Sequence, residues 1–416
     1  MTDAHADLFA PGSSSIVRCG SCARPADGTS ESCACGGLFD VLHPRPAVFP
    51  PPTDHKSGVW RFGALVMPGV AAPVSWPEGR TPLVERDAVR RYATVGQLWM
   101  KHEGMNPTGS FKDRGMTAAV TDAVRAGATA VACASTGNTS AALGAYAAMA
   151  GLRALVFVPQ GKVALGKLAQ ATAYGAKTLA VRGDFDAALN LARAASRELG
   201  VYLANSINPW RIEGQKTIAW ELLEQLGWDV PDWIALPAGA LGNTSAFGKA
   251  LREAHALGRI ARVPRLLAVQ ASGAAPFATA FADNFSRRVT VSAETAATAI
   301  RIGNPASWDR GVRAIRETNG VVVAVSDAEI LDAKAVVDAA GIGCEPASAA
   351  SVAGVKALRA QGTIGPDDRV ACILTGHLLK DPDAVVAYHA SDSSRANPPV
   401  EIESDLRAVA RLLEAS

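Results

Sequence analysis

The chain has 416 residues, with 41 Lys plus Arg against 39 Asp plus Glu and 49% hydrophobic residues, a balance that excludes extensive disorder. A net charge of +2 without a Lys/Arg run offers no surface for tracking a phosphate backbone, so no nucleic-acid partner is expected. No membrane span is expected either: the longest apolar candidate, residues 128–159, is broken by Ser135-Thr136-Gly137-Asn138-Thr139-Ser140 and by Arg153.

The start of the chain is distinct. Cys19 and Cys22 form a C-x-x-C knuckle, and Cys33 and Cys35 a shorter C-x-C pair with no histidine between them. Four thiolates suit a tetrahedral structural zinc. A metal-free remnant is the competing reading, and a closed four-sulfur site leaves no open position for substrate in either case. The cysteine total is odd and no signal peptide precedes the module, which points to a reducing cytoplasm. Pro and Gly then punctuate residues 42–58, the pattern of a linker.

Beyond Arg86, short β-branched runs alternate with helical patterns, as in an α/β protein with a largely parallel sheet. Strands are expected at 130–134, 154–159, 177–182, 201–205, 233–237, 266–270, 321–325 and 370–374, with helices between them. The clearest helix is 185–199, where Leu189, Ala192 and Ala195 share one face. An amphipathic helix at 401–413 packs on the body or on a second subunit, so a homodimer is one expectation.

Three strand-to-helix turns join small residues to hydroxyls, amides or a lone lysine, and such turns are where open α/β sheets bind ligands. In the first, 102–116, Lys112 follows Pro107, Gly109 and Ser110. Held against apolar surface, a lysine becomes a nucleophile, although a solvated helix-start lysine explains this stretch better when it is taken alone. The second turn carries Ser135, Thr136, Gly137, Asn138 and Thr139 at a helix start, where free amides favour a carboxylate or phosphate. An ordinary N-cap needs only one such residue. The third, 236–251, presents Gly239, Gly242, Asn243 and Thr244. It satisfies neither dinucleotide nor P-loop spacing, so the phosphate of a small cofactor suits it better.

An activated lysine, a phosphate cradle and an amide-bearing turn fit pyridoxal phosphate chemistry. The order of TPLVE (81–85), NPTGSFKDRGM (106–116), ASTGNTSA (134–141), VPQGKVALGKLAQA (158–171), NSINPWRIEGQKT (205–217), QASGAAP (270–276), ETAATAIRIGNPASW (294–308), CEPASAASVAG (344–354) and LKDPD (379–383) resembles threonine synthase. That resemblance implies a fold-type II pyridoxal-phosphate enzyme with two three-layer αβα domains and a small N-terminal zinc-ribbon-like module. It places the module and leader at 1–45, a large cofactor-binding domain at 46–117 and 232–390, a small mobile subdomain at 118–231, and the terminal helix at 391–416.

It further implies that Lys112 is the Schiff-base lysine, that Asn138 lies beside the cofactor's 3-hydroxyl, and that Thr375 meets the ring nitrogen. Gly239, Ala240, Leu241, Gly242 and Asn243 would hold the cofactor phosphate. Ser135, Thr136 and Thr139 would receive the substrate carboxylate, and Asn205, Ser206 and Arg211 a substrate phosphate. The implied substrate is a small amino-acid phosphate, O-phospho-L-homoserine, converted with water to L-threonine and phosphate.

Three positions depart from the family pattern. Ala240 stands where an asparagine is usual, and Arg80 and Leu378 stand where glycine is, which puts bulk near the expected site. β-Replacement or elimination on another activated amino acid, such as O-phosphoserine, is therefore the alternative enzymatic reading. A non-catalytic interaction protein using the zinc knuckle is the reading from another class, and the intact Lys112, Asn138 and Thr375 oppose it.

Overall fold

The computed structural model describes residues 8–27, 31–47, 58–161 and 165–414; most of the expected linker, 48–57, lies outside them. Strands β1 (Ile16–Cys19) and β2 (Phe39–Leu42) pair antiparallel in the cysteine module. The body follows with β3 (Leu83–Glu85), β4 (Gln97–His102), β5 (Ala130–Ala134), β6 (Arg153–Pro159), β7 (Lys177–Val181), β8 (Tyr202–Leu203), β9 (Trp233–Pro237), β10 (Arg265–Ala271), β11 (Val321–Val325) and β12 (Arg369–Leu374). A six-stranded sheet runs β11-β10-β9-β12-β4-β3, parallel except for β3, and a four-stranded parallel sheet runs β7-β6-β5-β8.

Both sheets are covered on two faces, which is why their strands read as nearly unbroken apolar runs. In the larger, Ile234, Leu236, Leu266 and Ile373 share a core with helices Thr217–Gln225 and Gly242–Ala256. Trp233, Ala235, Val269 and Leu374 face helices Asp327–Ala339 and Pro346–Ala360 on the other side. The smaller sheet lies between helices Lys112–Arg125 and Asn138–Met149 on one side and Phe185–Leu199 on the other. Helix Phe185–Leu199 starts where Asp184 accepts from the Ala187 N–H and stops at Gly200 in the left-handed region.

Helices Pro209–Gln215 and Thr217–Gln225, which the sequence groups with the smaller unit, send Trp210, Ile218, Trp220 and Leu222 into the larger core. Helix Lys112–Arg125 serves both cores, with Ala118 in the larger and Met116, Ala119, Val120 and Ala123 in the smaller. It crosses Pro209–Gln215 backbone to backbone. A methyl group on Gly214 would lie 1.8 Å from the Arg114 carbonyl oxygen, and one on Gly115 would lie 3.0 Å from that of Arg211. Only glycines allow that approach.

Four strands were absent from the expected set, and β4 shows why. Its sequence QLWMKH ends in two polar residues, yet Lys101 is fully buried. Lys101 Nζ donates to Glu221 Oε1 at 2.5 Å, to the Thr81 carbonyl at 2.7 Å and to Gln225 Oε1 at 2.8 Å. Arg114 joins the same cluster: its Nε donates to Glu103 Oε2 at 2.6 Å and its NH2 to Glu221 Oε1 at 2.9 Å. Removing one partner from such a cluster leaves a buried charge uncompensated. Arg114→Met is therefore expected to lower the unfolding free energy by about 3–5 kcal/mol, measured by denaturant unfolding of the full chain; unchanged stability would refute the dependence of Glu103 and Glu221 on this guanidinium.

Candidate active site

The residues expected to bind cofactor and substrate follow the C-terminal ends of parallel strands: Lys112 after β4, 135–139 after β5, 205–211 after β8, 239–243 after β9 and Thr375 after β12. Ligands bind at such edges because helix N-termini and loop amides converge there.

The loop ahead of Lys112 is tied down at both ends. Thr108 donates through its backbone N–H and its hydroxyl to Asp113, at 2.7 and 2.6 Å, and the Phe111 N–H donates to the Thr375 carbonyl at 2.9 Å. Lys112 Nζ lies 4.1 Å from the Phe111 ring centre. Desolvation, with a further contribution from the like charge of Arg211, pulls the Lys112 ammonium down to about 7, against the opposing attraction of Glu345. An appreciable fraction is thus free amine at neutral pH.

Glu345 was not among the expected site residues. It is 3% exposed and stands immediately before helix Pro346–Ala360. Its Oε2 accepts from Asn138 Nδ2 at 3.0 Å and its Oε1 from the Thr375 hydroxyl at 3.1 Å. Burial raises its carboxyl above the ordinary range, while the Asn138 and Thr375 hydrogen bonds draw it back. Gly376 makes room for it, since a methyl group there would meet the Glu345 carboxyl carbon at 2.4 Å. Ser348 Oγ lies 3.1 Å from Thr375 Oγ1 and accepts from the Gly376 N–H at 3.0 Å. One buried carboxyl group therefore holds Asn138 and Thr375 and attracts the charge of Lys112. The available signal was an acidic residue before a helix-start proline in a run of small residues.

Two anion-binding features flank this cluster. The first is Arg211, fully buried, with NH1 on the Ala204 carbonyl at 3.1 Å and with Nε and NH2 unpartnered. Desolvation pulls it down to about 10. The second is the start of helix Gly242–Ala256, which has no side-chain cap. There Leu241 holds φ at 65°, and buried Asn243 leaves both amide atoms unpartnered. Gly239 is packed so tightly that a methyl group would lie 3.2 Å from Ile300 Cα, and Ala240 is held by its carbonyl, which accepts from the Ser307 N–H at 3.0 Å. The Gly242 position lies beside the Ser206 carbonyl, so this loop and the 205–211 segment adjoin. Helix Asn138–Met149 likewise starts without a side-chain cap, next to half-buried Ser135, Thr136 and Thr139. Asn205 gives its Oδ1 to the Ala134 N–H at 2.9 Å, which leaves its NH2 group for a ligand.

These orphaned donors fit a phosphate-bearing cofactor with a second anion nearby. Of the departing positions, Arg80 is exposed and has φ at 49°, so a glycine there serves backbone conformation rather than space. Leu378 packs on Gly343. Lys380, also unforeseen, donates to Gln170 Oε1, and Gln170 Nε2 reaches the Thr108 carbonyl at 3.2 Å, joining the smaller sheet's layer to the lysine loop.

Residues 74–376 match the family described as pyridoxal-phosphate dependent enzyme. The chain is 44% identical over 409 residues to a threonine synthase of Methanocaldococcus jannaschii, covering 96% of this chain and 99% of that protein. It is 48% identical over 358 residues to a threonine synthase of Methanosarcina acetivorans, covering 85% and 88%. The chain belongs to the threonine synthase family of pyridoxal-phosphate dependent enzymes. The fold is shared more widely. A threonine deaminase from Solanum lycopersicum superposes with a TM-score of 0.66 at 20% identity, covering 82% of this chain and 98% of that one. Maize serine racemase gives 0.62 at 23% identity, covering 72% and 88%. The cofactor is pyridoxal phosphate, as in the family, and among the described residues no helix is long and apolar enough to cross a membrane.

In the cysteine module, the sulfurs of Cys19, Cys22, Cys33 and Cys35 all lie within 4.8 Å of one another. Gly37 leaves room for the Cys19 sulfur, which a methyl group would meet at 2.6 Å. Burial alone would raise the Cys19 thiol, but the N–H groups of Cys22 and Ser21 hold it down to about 7. Despite its own backbone bond to Gly37, Cys35 is pushed up to about 11 by the neighbouring sulfurs. Four close sulfurs competing for negative charge suit a dication with tetrahedral preference.

With Lys112 as the lysine that takes up the cofactor, its free amine would be the attacking form, and uptake by the apo-protein is expected to quicken as pH rises through about 7. Arg211→Gln removes a like charge and should move that midpoint up, whereas Glu345→Gln removes an attracting charge and should move it down. Stopped-flow absorbance against pH checks both signs, and shifts in one common direction would disprove the assignment. Elemental analysis of the purified chain is expected to find stoichiometric zinc, lost in Cys22→Ser.

Proposed function

We propose that this chain is a threonine synthase, converting O-phospho-L-homoserine and water to L-threonine and phosphate. The observation that carries this reading is Arg211, a fully buried guanidinium with two unpartnered nitrogens beside a lysine primed as a base. A substrate bearing its own phosphate supplies the missing partner, since the guanidinium fork matches that anion.

In this reading Gly239, Ala240, Leu241, Gly242 and Asn243 hold the cofactor phosphate, and Asn138 and Thr375 fix the two edges of its ring, with Glu345 behind them. Ser135, Thr136 and Thr139 bind the substrate carboxylate at the uncapped helix start. Asn205, Ser206 and Arg211 bind the substrate phosphate. When bound, pyridoxal phosphate withdraws electrons from the substrate's α-carbon. Lys112 then moves protons at the α, β and γ carbons, phosphate departs from the γ-carbon, and water adds at the β-carbon.

A reducing cytoplasmic setting belongs to the same proposal and is supported by seven free cysteines. A homodimer is supported by exposed Leu406 and Leu413 on the terminal helix Leu406–Glu414.

Purified protein offered O-phosphohomoserine, O-phosphoserine, threonine and serine separately is expected to release phosphate and form threonine from the first alone. Product from O-phosphoserine instead would move the assignment to the alternative that Ala240 raises.

A further inference from the structure

The cysteine module is remote from Lys112 in sequence, yet its contacts converge on the segment that carries Arg211. Within β2, Asp40 accepts from Arg310 Nε at 2.9 Å and from Arg313 NH2 at 2.9 Å. Arg310 also donates to the Phe39 carbonyl, and its NH1 reaches the Ile207 carbonyl at 3.5 Å. Arg310 lies on helix Trp308–Glu317, whose N-cap Ser307 holds the Ala240 carbonyl.

One residue beyond β2, His43 is 1% exposed and sits between two residues that bracket Arg211. Its Nε2 is 2.9 Å from Glu213 Oε2, and its ring centre is 6.1 Å from that of Trp210. An ionised carboxylate only accepts, so Nε2 carries the hydrogen and Nδ1 accepts from the Ser15 hydroxyl at 2.7 Å. Glu213 in turn pairs with Lys216 at 2.5 Å and with Lys249, and Lys249 donates to the Val41 carbonyl at 2.5 Å. Lys249 belongs to the helix that begins at the phosphate loop.

The module thus touches Trp210 and Glu213, on either side of Arg211, and through Asp40 holds Arg310, whose NH1 reaches the Ile207 carbonyl, while the guanidinium of Arg211 has a single anchor on the Ala204 carbonyl. With no carboxylate to orient it, the direction of that guanidinium is set by its backbone, and the backbone is held from behind by the module.

We propose that the cysteine module is a positioning element of the substrate-phosphate site: through Asp40 and His43 it fixes residues 207–213 and with them the direction of Arg211. This rests on the reading of Arg211 as the phosphate anchor. Asp40, His43 and Arg310 act through Arg211 and touch no substrate.

The test uses the full-length holoenzyme with inorganic phosphate as the probe and O-phosphohomoserine as substrate. Asp40→Asn is expected to raise both the KM and the inhibition constant of inorganic phosphate about ten-fold, the scale of one hydrogen bond to a charged group, with kcat and the cofactor absorbance unchanged. Amide hydrogen exchange at 205–213 should quicken, Asp40→Glu should restore part of the affinity, and Asp40→Asn with Arg310→Gln should be no worse than Arg310→Gln alone. Should Asp40→Asn not accumulate as folded protein, His43→Asn carries the same measurements. A variant with lowered thermal stability but unchanged KM, phosphate affinity and exchange at 205–213 would overturn the proposal. Arg211→Gln separates the two levels: intact phosphate binding in that variant refutes the role of Arg211 itself, whereas lost binding there with none lost in Asp40→Asn refutes only the brace.

Discussion

The lysine loop of this site depends on a guanidinium that never meets solvent. Arg114 places its fork between Glu103 and Glu221, and Thr81 and Thr217 take its remaining donors at 3.2 and 3.3 Å. Through Glu221 the same cluster holds the backbone N–H groups of Arg80 and Thr81 and the ammonium of Lys101. The strand before the lysine loop, the loop at 79–81 and the helix Thr217–Gln225 are thereby lashed to the helix that starts at Lys112. A buried ionic cluster contributes little net stability over an apolar replacement, but it tolerates few geometries. Its role here is to fix where Lys112 stands.

The contrast between paired and unpaired cations separates scaffold from site. Arg114 has two carboxylates and is held firmly charged despite its burial. Lys216 has Glu213 and Glu253 and is likewise raised. Arg211 is buried as fully and Lys112 is half-buried, but desolvation dominates both and pulls each down. Two cations left under-compensated near each other are the arrangement that an incoming anion would complete. The orphaned amide of Asn243 and the uncapped helix beside it say the same of the neighbouring loop.

Legibility in the sequence tracked how local each feature is. Strands β9 and β11 match their expected bounds residue for residue, because β-branched and apolar runs bounded by turn residues need no tertiary information. Strand β4 was hidden by Lys101, whose burial depends on a glutamate 120 residues further on. Arg80 looked like bulk near the site, and its exposure and left-handed backbone reassign the cost to conformation. Residues 209–225 are expected with the smaller unit from chain order, and Trp210 and Trp220 pack into the larger core.

By itself, the sequence determined the chemical parts: one lysine behind a Pro-Thr-Gly-Ser loop, three helix starts rich in small and polar residues, an arginine after Asn-Pro-Trp and four clustered cysteines. These are short-range facts, since turn chemistry and helix ends are decided within a few residues. Only the tertiary structure decided which parts face each other. It put Glu345 between Asn138 and Thr375, left Arg211 without an acid, and set the cysteine module behind residues 207–213. Each depends on contacts between segments far apart in the chain, and those are chosen by how helices and sheets close-pack, which no local pattern records.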